Sequence, residues 1–263
     1  MYLMYADEAD QDAIDKTYLV YGAVYVPSEH AKPICDRIKE LKSEYGFAPD
    51  DPLKFSTGTI PKAVTRENHA AIKSKILELA KAYQVKASCY VVFHDVAKNQ
   101  DKETKLKYAI NTLCSNFDSF VRQSDEHTGI AFFDRTTDFK QELYFKEIIA
   151  HGLPKYDSTR IPIPRIIAIN STQEGLSPMN SLCDIVVGSL RFVFNEPDKD
   201  IVGEKLFKQL SGLLWGHKST DGKTWYVLNK GLIFRPKTID VPMYEADRQT
   251  TISMLQKYMD TDS

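Results

Sequence analysis

Four carboxylates stand among apolar neighbours. Asp7 and Glu8 end the run YLMYA (2–6), Asp134 follows GIAFF (129–133), and Asp184 lies inside PMNSLCDIVVGSLRFVF (178–194). A buried polar group is more informative than a buried Leu. An ionised carboxylate buried alone is costly by several kcal/mol, so it needs a cation, a metal, a proton or water. The helical neighbours of Asp184 are Asn180, Ser181, Val187 and Gly188, none of them a cation, and Gly188 allows close approach to that helix. Plainer roles exist for each: Asp7 as a turn former at a strand end, Asp134 as the N-cap of the next helix, and Asp184 paired with Arg191 or a distant Lys. Taken together, carboxylates on two strand ends and one buried helix repel one another. Divalent cations relieve that repulsion, and Mg²⁺ and Mn²⁺ favour such oxygen-rich sites. Adjacent strand residues point to opposite faces, so only one of Asp7 and Glu8 faces a given pocket unless the strand bends.

These residues need elements to position them. Strands are expected at 2–6, 17–26 (TYLVYGAVYV), 52–56 (PLKFS), 85–94, 129–133 and 165–169. Helical spacing marks 29–45, with Ser28 as its cap, then 67–83, 101–124, 139–150, 178–194 and 201–215. Asp221–Gly222 reads as a tight turn, IFRPK follows at 233–237, and 244–263 reads as a loosely packed helix or tail. The pattern predicts an α/β fold: one domain over 1–197 and a C-terminal extension, 198–263, packed on it. In open α/β sheets ligands gather at the carboxyl ends of strands, which is where Asp7 and Asp134 fall.

The chain has 263 residues, of which 43% are hydrophobic and 27% charged. That composition excludes a disordered, collagen-like or low-complexity chain. At this length roughly 70% of the unfolded surface can be buried without staples. The net charge of −2 does not advertise a nucleic-acid binder in bulk. Cys35, Cys89, Cys114 and Cys183 form no CxxC pair. No signal peptide and no apolar run of membrane-spanning length are apparent, so a reducing cytoplasmic setting is expected. No GxSxG, HExxH, Walker-type or GxGxxG motif occurs. His94, ending YVVFH, reads as a core or edge residue more readily than a site residue. Cys183 reads as a small core residue.

The opening MYLMYADEADQD, the Gly-containing strand TYLVYGAVYV, FFDRT at 132–136 and NSLCDIVVGSL at 180–190 together resemble the bacterial and phage family called domain of unknown function 3800. That family belongs to the ribonuclease H-like superfamily. The resemblance covers roughly residues 1–195. It implies a mixed sheet flanked by helices and an acidic cluster in which Asp7, Glu8, Asp134 and Asp184 take the family's positions. Ala9 and Asp10 stand where the family has Ser-Gly, and Asn180 is the polar residue nearest the place of a Gln before the late-helix Asp. The implied activity is phosphodiester cleavage with two divalent ions about 4 Å apart. Asp7 would bridge the ions, Asp134 would hold one and Asp184 the other. A mobile-element or phage-defence setting follows by analogy only.

Lys54 and Ser56 in PLKFS are candidates to contact a phosphate, although a solvated surface charge is the simpler reading of Lys54. Residues 199–237 hold eight Lys/Arg, Arg235 and Lys237 among them, against three acids. Trp215, Trp225 and Tyr226 are interleaved with these cations. Basic groups beside aromatics suit a nucleic-acid backbone and its bases, while an ordinary hairpin packing its tryptophans on the core fits equally. Two functions therefore stand: a Mg²⁺- or Mn²⁺-dependent nuclease acting on RNA or DNA, and a non-catalytic nucleic-acid- or protein-binding module on the same fold.

Overall fold

The computed structural model describes residues 1–9, 17–124, 128–136, 140–155, 158–196, 199–218 and 225–260. The strands are β1 (Tyr2–Ala9), β2 (Tyr18–Pro27), β3 (Lys86–Phe93), β4 (Gly129–Asp134), β5 (Leu153–Pro154), β6 (Arg160–Ile161), β7 (Ile166–Thr172), β8 (His217–Lys218), β9 (Trp225–Tyr226) and β10 (Leu232–Arg235). The helices are α1 (Ser28–Glu44), α2 (Arg66–Ala82), α3 (His94–Ala97), α4 (Lys102–Gln123), α5 (Gln141–His151), α6 (Pro178–Asn195), α7 (Asp200–Ser211) and α8 (Pro242–Asp260). Six strands form one sheet in the order β10-β3-β2-β1-β4-β7. In this sheet β2 is antiparallel to both its neighbours and every other pairing is parallel, while β5–β6 and β8–β9 form separate two-stranded antiparallel ribbons. The carboxyl ends of β1, β3, β4, β7 and β10 therefore lie along one edge of the sheet.

β2 is buried at every position, as the unbroken apolar run TYLVYGAVYV requires of a strand covered on both faces. Its residues alternate between two cores. Val20, Val24 and Val26 meet the apolar faces of α1, α2, α6 and α7, while Leu19, Tyr21, Ala23 and Tyr25 meet α4 and α5. Local chemistry sets the helix starts. The Asp101 carboxylate accepts the Thr104 N–H (2.7 Å), Thr65 Oγ1 accepts the Asn68 N–H (3.1 Å), and Ser177 caps α6 ahead of Pro178.

Two glycines mark where α6 comes closest to its neighbours. A Cβ on Gly22 would lie 2.5 Å from a Val187 methyl, and one on Gly188 would lie 2.5 Å from the Phe55 Cβ. Gly22 is also the register partner of Asp7. The approach of α6 to β1 and β2 thus depends on a missing side chain beside the candidate carboxylate.

Several expectations need correction. Residues 52–56 form no strand, because side chains take the backbone groups a ladder would use. Asp184 accepts the Phe55 N–H, His69 Nε2 bonds the Lys54 carbonyl (2.8 Å), and Lys73 donates to the Phe55 carbonyl (3.2 Å). Ser28 does not cap α1: it is already helical, and Pro27 holds the N-cap position without a side-chain bond. The helix expected through residue 215 ends at Ser211, because the chain then runs along β3. There Ala87 donates to the Leu213 carbonyl (2.7 Å) and Trp215 to the Ala87 carbonyl (2.9 Å). The extension is also more than a covering layer, since β10 is an edge strand of the main sheet. The Asp221–Gly222 turn lies outside the described residues. Among the described residues, no helix is long and apolar enough to cross a membrane, and the four cysteines are free.

Candidate functional site

The pairing of β1 with β4 brings the first two carboxylates together. Ala6 is the register partner of Phe133, so Asp7 and Asp134 follow side by side on neighbouring parallel strands. Two residues earlier, Tyr5 and Phe132 stack with centroids 4.9 Å apart. Tyr5 packs on the core that contains α6, and its carbonyl accepts a hydrogen bond from Cys183 Sγ (3.1 Å). Strand alternation therefore puts Asp7 and Asp134 on the α6 side. α6 supplies Asp184 one residue after Cys183. Asp7, Asp134 and Asp184 line one cavity of about 40 Å³, together with Leu53, Lys54, Glu174, Gly175, Asn180 and Ser181. That volume suits water or an ion, not an organic cofactor.

Burial raises all three carboxyls. Asp7 is pushed up to about 8, first by burial, then by the charges of Asp134, Asp184 and Glu8; only the Glu8 N–H, donated to Asp7 Oδ1 (2.9 Å), opposes this. Asp134 is raised by burial, with Glu174 and Asp184 adding to it and the Arg135 N–H and Lys54 working against it. Asp184 is raised by burial, while the Phe55 N–H (2.5 Å), Lys54 and Lys73 pull it down. Lys54 ends above its ordinary value: burial depresses it, and the Glu174 carboxylate (Nζ···Oε2 2.8 Å), together with the charges of Asp184 and Asp7, outweighs that. Lys73, its Nζ 4.3 Å from the Phe55 ring centroid, is depressed by burial and held up by Asp184.

The remaining candidates are distributed as follows. Glu8 does not line the cavity; it points to the opposite face of β1, where its charge is the leading electrostatic influence on buried Tyr21. Asn180 lines the cavity, but its amide Nδ2 donates to the Gln173 carbonyl (2.5 Å) and to Thr172 Oγ1 (3.1 Å), so it anchors α6 to the end of β7. Ser56 is exposed outside the cavity, capping the short turn Thr57–Thr59 by accepting the Gly58 N–H. Arg235 ends β10 and Lys237 lies just beyond it, three strands from β1, and neither lines the cavity. Asp134 does not cap α5: Lys140 occupies that N-cap. Instead the buried Gln141 donates to the Asp134 carbonyl (3.0 Å) and accepts from Thr136 N and Ser171 Oγ. Trp215 is buried edge-on against Phe120, which is the core role weighed for it. His94 and Cys183 are likewise buried.

Nothing in the sequence marks Glu174, Lys73 or Gln141 as site residues. Glu174 sits in a polar loop and Lys73 on an ordinary amphipathic helix, and only the fold brings them to the carboxylates. Among the described residues, no group of three or more His, Cys, Asp and Glu is gathered into a ready metal-holding set. No protein-family model matches the chain, and no curated protein matches it.

Proposed function

We propose that this chain is a divalent-cation-dependent phosphodiesterase acting on nucleic acid, built on a ribonuclease H-like sheet and related in plan to the domain of unknown function 3800 family. The observation that carries this reading is the convergence of Asp7, Asp134 and Asp184, from three separate elements, on one small cavity. The sheet order supports it too, with a single antiparallel strand, β2, beside the central β1.

The donor set fits Mg²⁺ or Mn²⁺ in kind: hard carboxylate oxygens, mutually repelling, in a space of ionic size. Asp7, Asp134 and Asp184 would hold the cation, with Glu174 within reach of the same cavity. When bound, it would supply Lewis-acid polarisation of the phosphoryl group and neutralise charge developing there. The chain's own groups do the rest. The Glu8 N–H fixes Asp7 Oδ1, and the Phe55 N–H fixes Asp184 Oδ2. Without a cation, Asp7 holds a proton at neutral pH. Lys54 and Lys73 place positive charge beside the cavity, where a phosphate oxygen can replace Glu174 as the partner of Lys54.

The test is hydrolysis of labelled RNA and DNA oligonucleotides with Mg²⁺ or Mn²⁺. The expected result is cleavage in the wild type that disappears with chelator and in Asp184→Asn. Binding of oligonucleotides without cleavage under any metal would favour the binding-module reading.

A further inference from the structure

On the side of the sheet covered by α4, a groove of about 340 Å³ runs between α4, β10 and the β5–β6 ribbon. One wall is a polar stripe on α4: Asn111, Ser115 and Ser119 fall at successive i, i+4 positions. The facing wall is apolar, with Pro154 and Ile161 partly exposed and Leu153 and Ile233 buried. Arg235 is the one charged residue among those lining it. Among the described residues its half-buried guanidinium has a single hydrogen-bond partner, the Phe234 carbonyl (2.9 Å), and no carboxylate. A partly buried cation without a counter-charge is an anion site in waiting. Ser115 and Ser119 have no hydrogen-bond partner among the described residues. The Asn111 carbonyl oxygen accepts from Tyr144 OH (2.7 Å), which leaves its amide N–H groups available.

We infer that this groove binds a sugar phosphate, with Arg235 on the phosphate, the α4 stripe on the sugar hydroxyls and the apolar wall against the C–H face of the ring. Among the described residues, a cation without a counter-charge, hydroxyls and amides free to bond, and an apolar wall meet in this one groove. The groove lies on the α4 side, whereas the carboxylate cavity lies on the α6 side, so the inference does not depend on the phosphodiesterase reading. A free sugar phosphate and the backbone of a nucleic-acid strand offer the same chemistry.

The experiment titrates ribose 5-phosphate into the full chain at millimolar concentrations and follows amide NMR signals, side-chain amides included. Saturable shifts at Asn111 and along α4 are expected. Arg235→Gln should weaken binding about tenfold or more, Arg235→Lys should weaken it less, and Asp184→Asn should leave it unchanged. Should Arg235→Gln fail to fold, Ser115→Leu blocks the groove from a helix surface and should abolish the shifts. A second arm titrates a trinucleotide: affinity that stays Arg235-dependent and rises with strand length assigns the groove to a strand, and equal affinity assigns it to a free sugar phosphate. No saturable shift in the wild type, shifts indifferent to both groove variants, or shifts lost in Asp184→Asn would each overturn the inference.

Discussion

Two polar clusters lie against the same sheet, one on each face, and they are built on opposite terms. Beneath α4, Tyr25 OH and Ser88 Oγ bond each other at 2.5 Å, and Asn116 Nδ2 donates to Tyr25 OH (3.3 Å) and to the Lys230 carbonyl (2.8 Å). These groups are neutral and satisfy one another. On the α6 side, Asp7, Asp134 and Asp184 face one cavity, and each is raised by burial and by at least one other acid. The first arrangement stabilises the fold. The second opposes it, and the proposed cation site is the role that would offset that cost.

Mutations should separate the two. The largest effect is expected on turnover: Asp7→Asn or Asp184→Asn should lower phosphodiester cleavage by about 10²-fold or more, beyond the loss typical of outer-shell partners. Measured rates within a few-fold of wild type would place the chemistry elsewhere.

Stability should move the other way. Folding raises the Asp7 pKa from about 4 to about 8. Between those values the native state holds more protons than the unfolded one, so stability falls as pH rises through this window. Asp7→Asn removes that dependence, and in chelator at pH 8 it should be more stable than wild type by a few kcal/mol, on the order set by the shift. Denaturant melts at pH 5 and pH 8 give the comparison; a parallel pH dependence in the two proteins would remove Asp7 as its source.

Under α4 the sign reverses. Asn116→Ala leaves the Lys230 carbonyl without its partner and opens a cavity, and should destabilise the chain by about 1–3 kcal/mol, with the same loss at pH 5 and pH 8. The smallest effect belongs to the Lys54–Glu174 pair at the cavity mouth, which is half-exposed. Glu174→Gln should change stability by less than about 1 kcal/mol. If Lys54 is released onto substrate phosphate, the same variant should lower KM.

The same contrast explains how much the sequence discloses. Asp7, Asp134 and Asp184 are conspicuous because charges interrupt apolar runs, and such runs also mark β1, β2, β4 and α6. Separating Asp7 from Glu8 needs only the two-residue alternation of a strand. Glu174 carries no such mark: it is an acid in the polar loop QEG, placed by the parallel β4–β7 pairing. Lys73 lies on an ordinary amphipathic helix. β10 is a four-residue strand whose partner, β3, lies more than a hundred residues earlier, and no local pattern encodes that pairing. Residues 52–56 have the composition of a strand, yet their backbone bonds go to side chains of α2 and α6.

The central claim is that three carboxylates from three elements form one cation site. Calorimetric titration of Mn²⁺ into wild type, Asp7→Asn, Asp184→Asn and Glu8→Gln tests it most directly. The account predicts binding in the wild type, its loss in both Asn variants and its retention in Glu8→Gln. Binding that survives Asp7→Asn and Asp184→Asn, or a wild type that binds no Mn²⁺ with or without oligonucleotide, would contradict it.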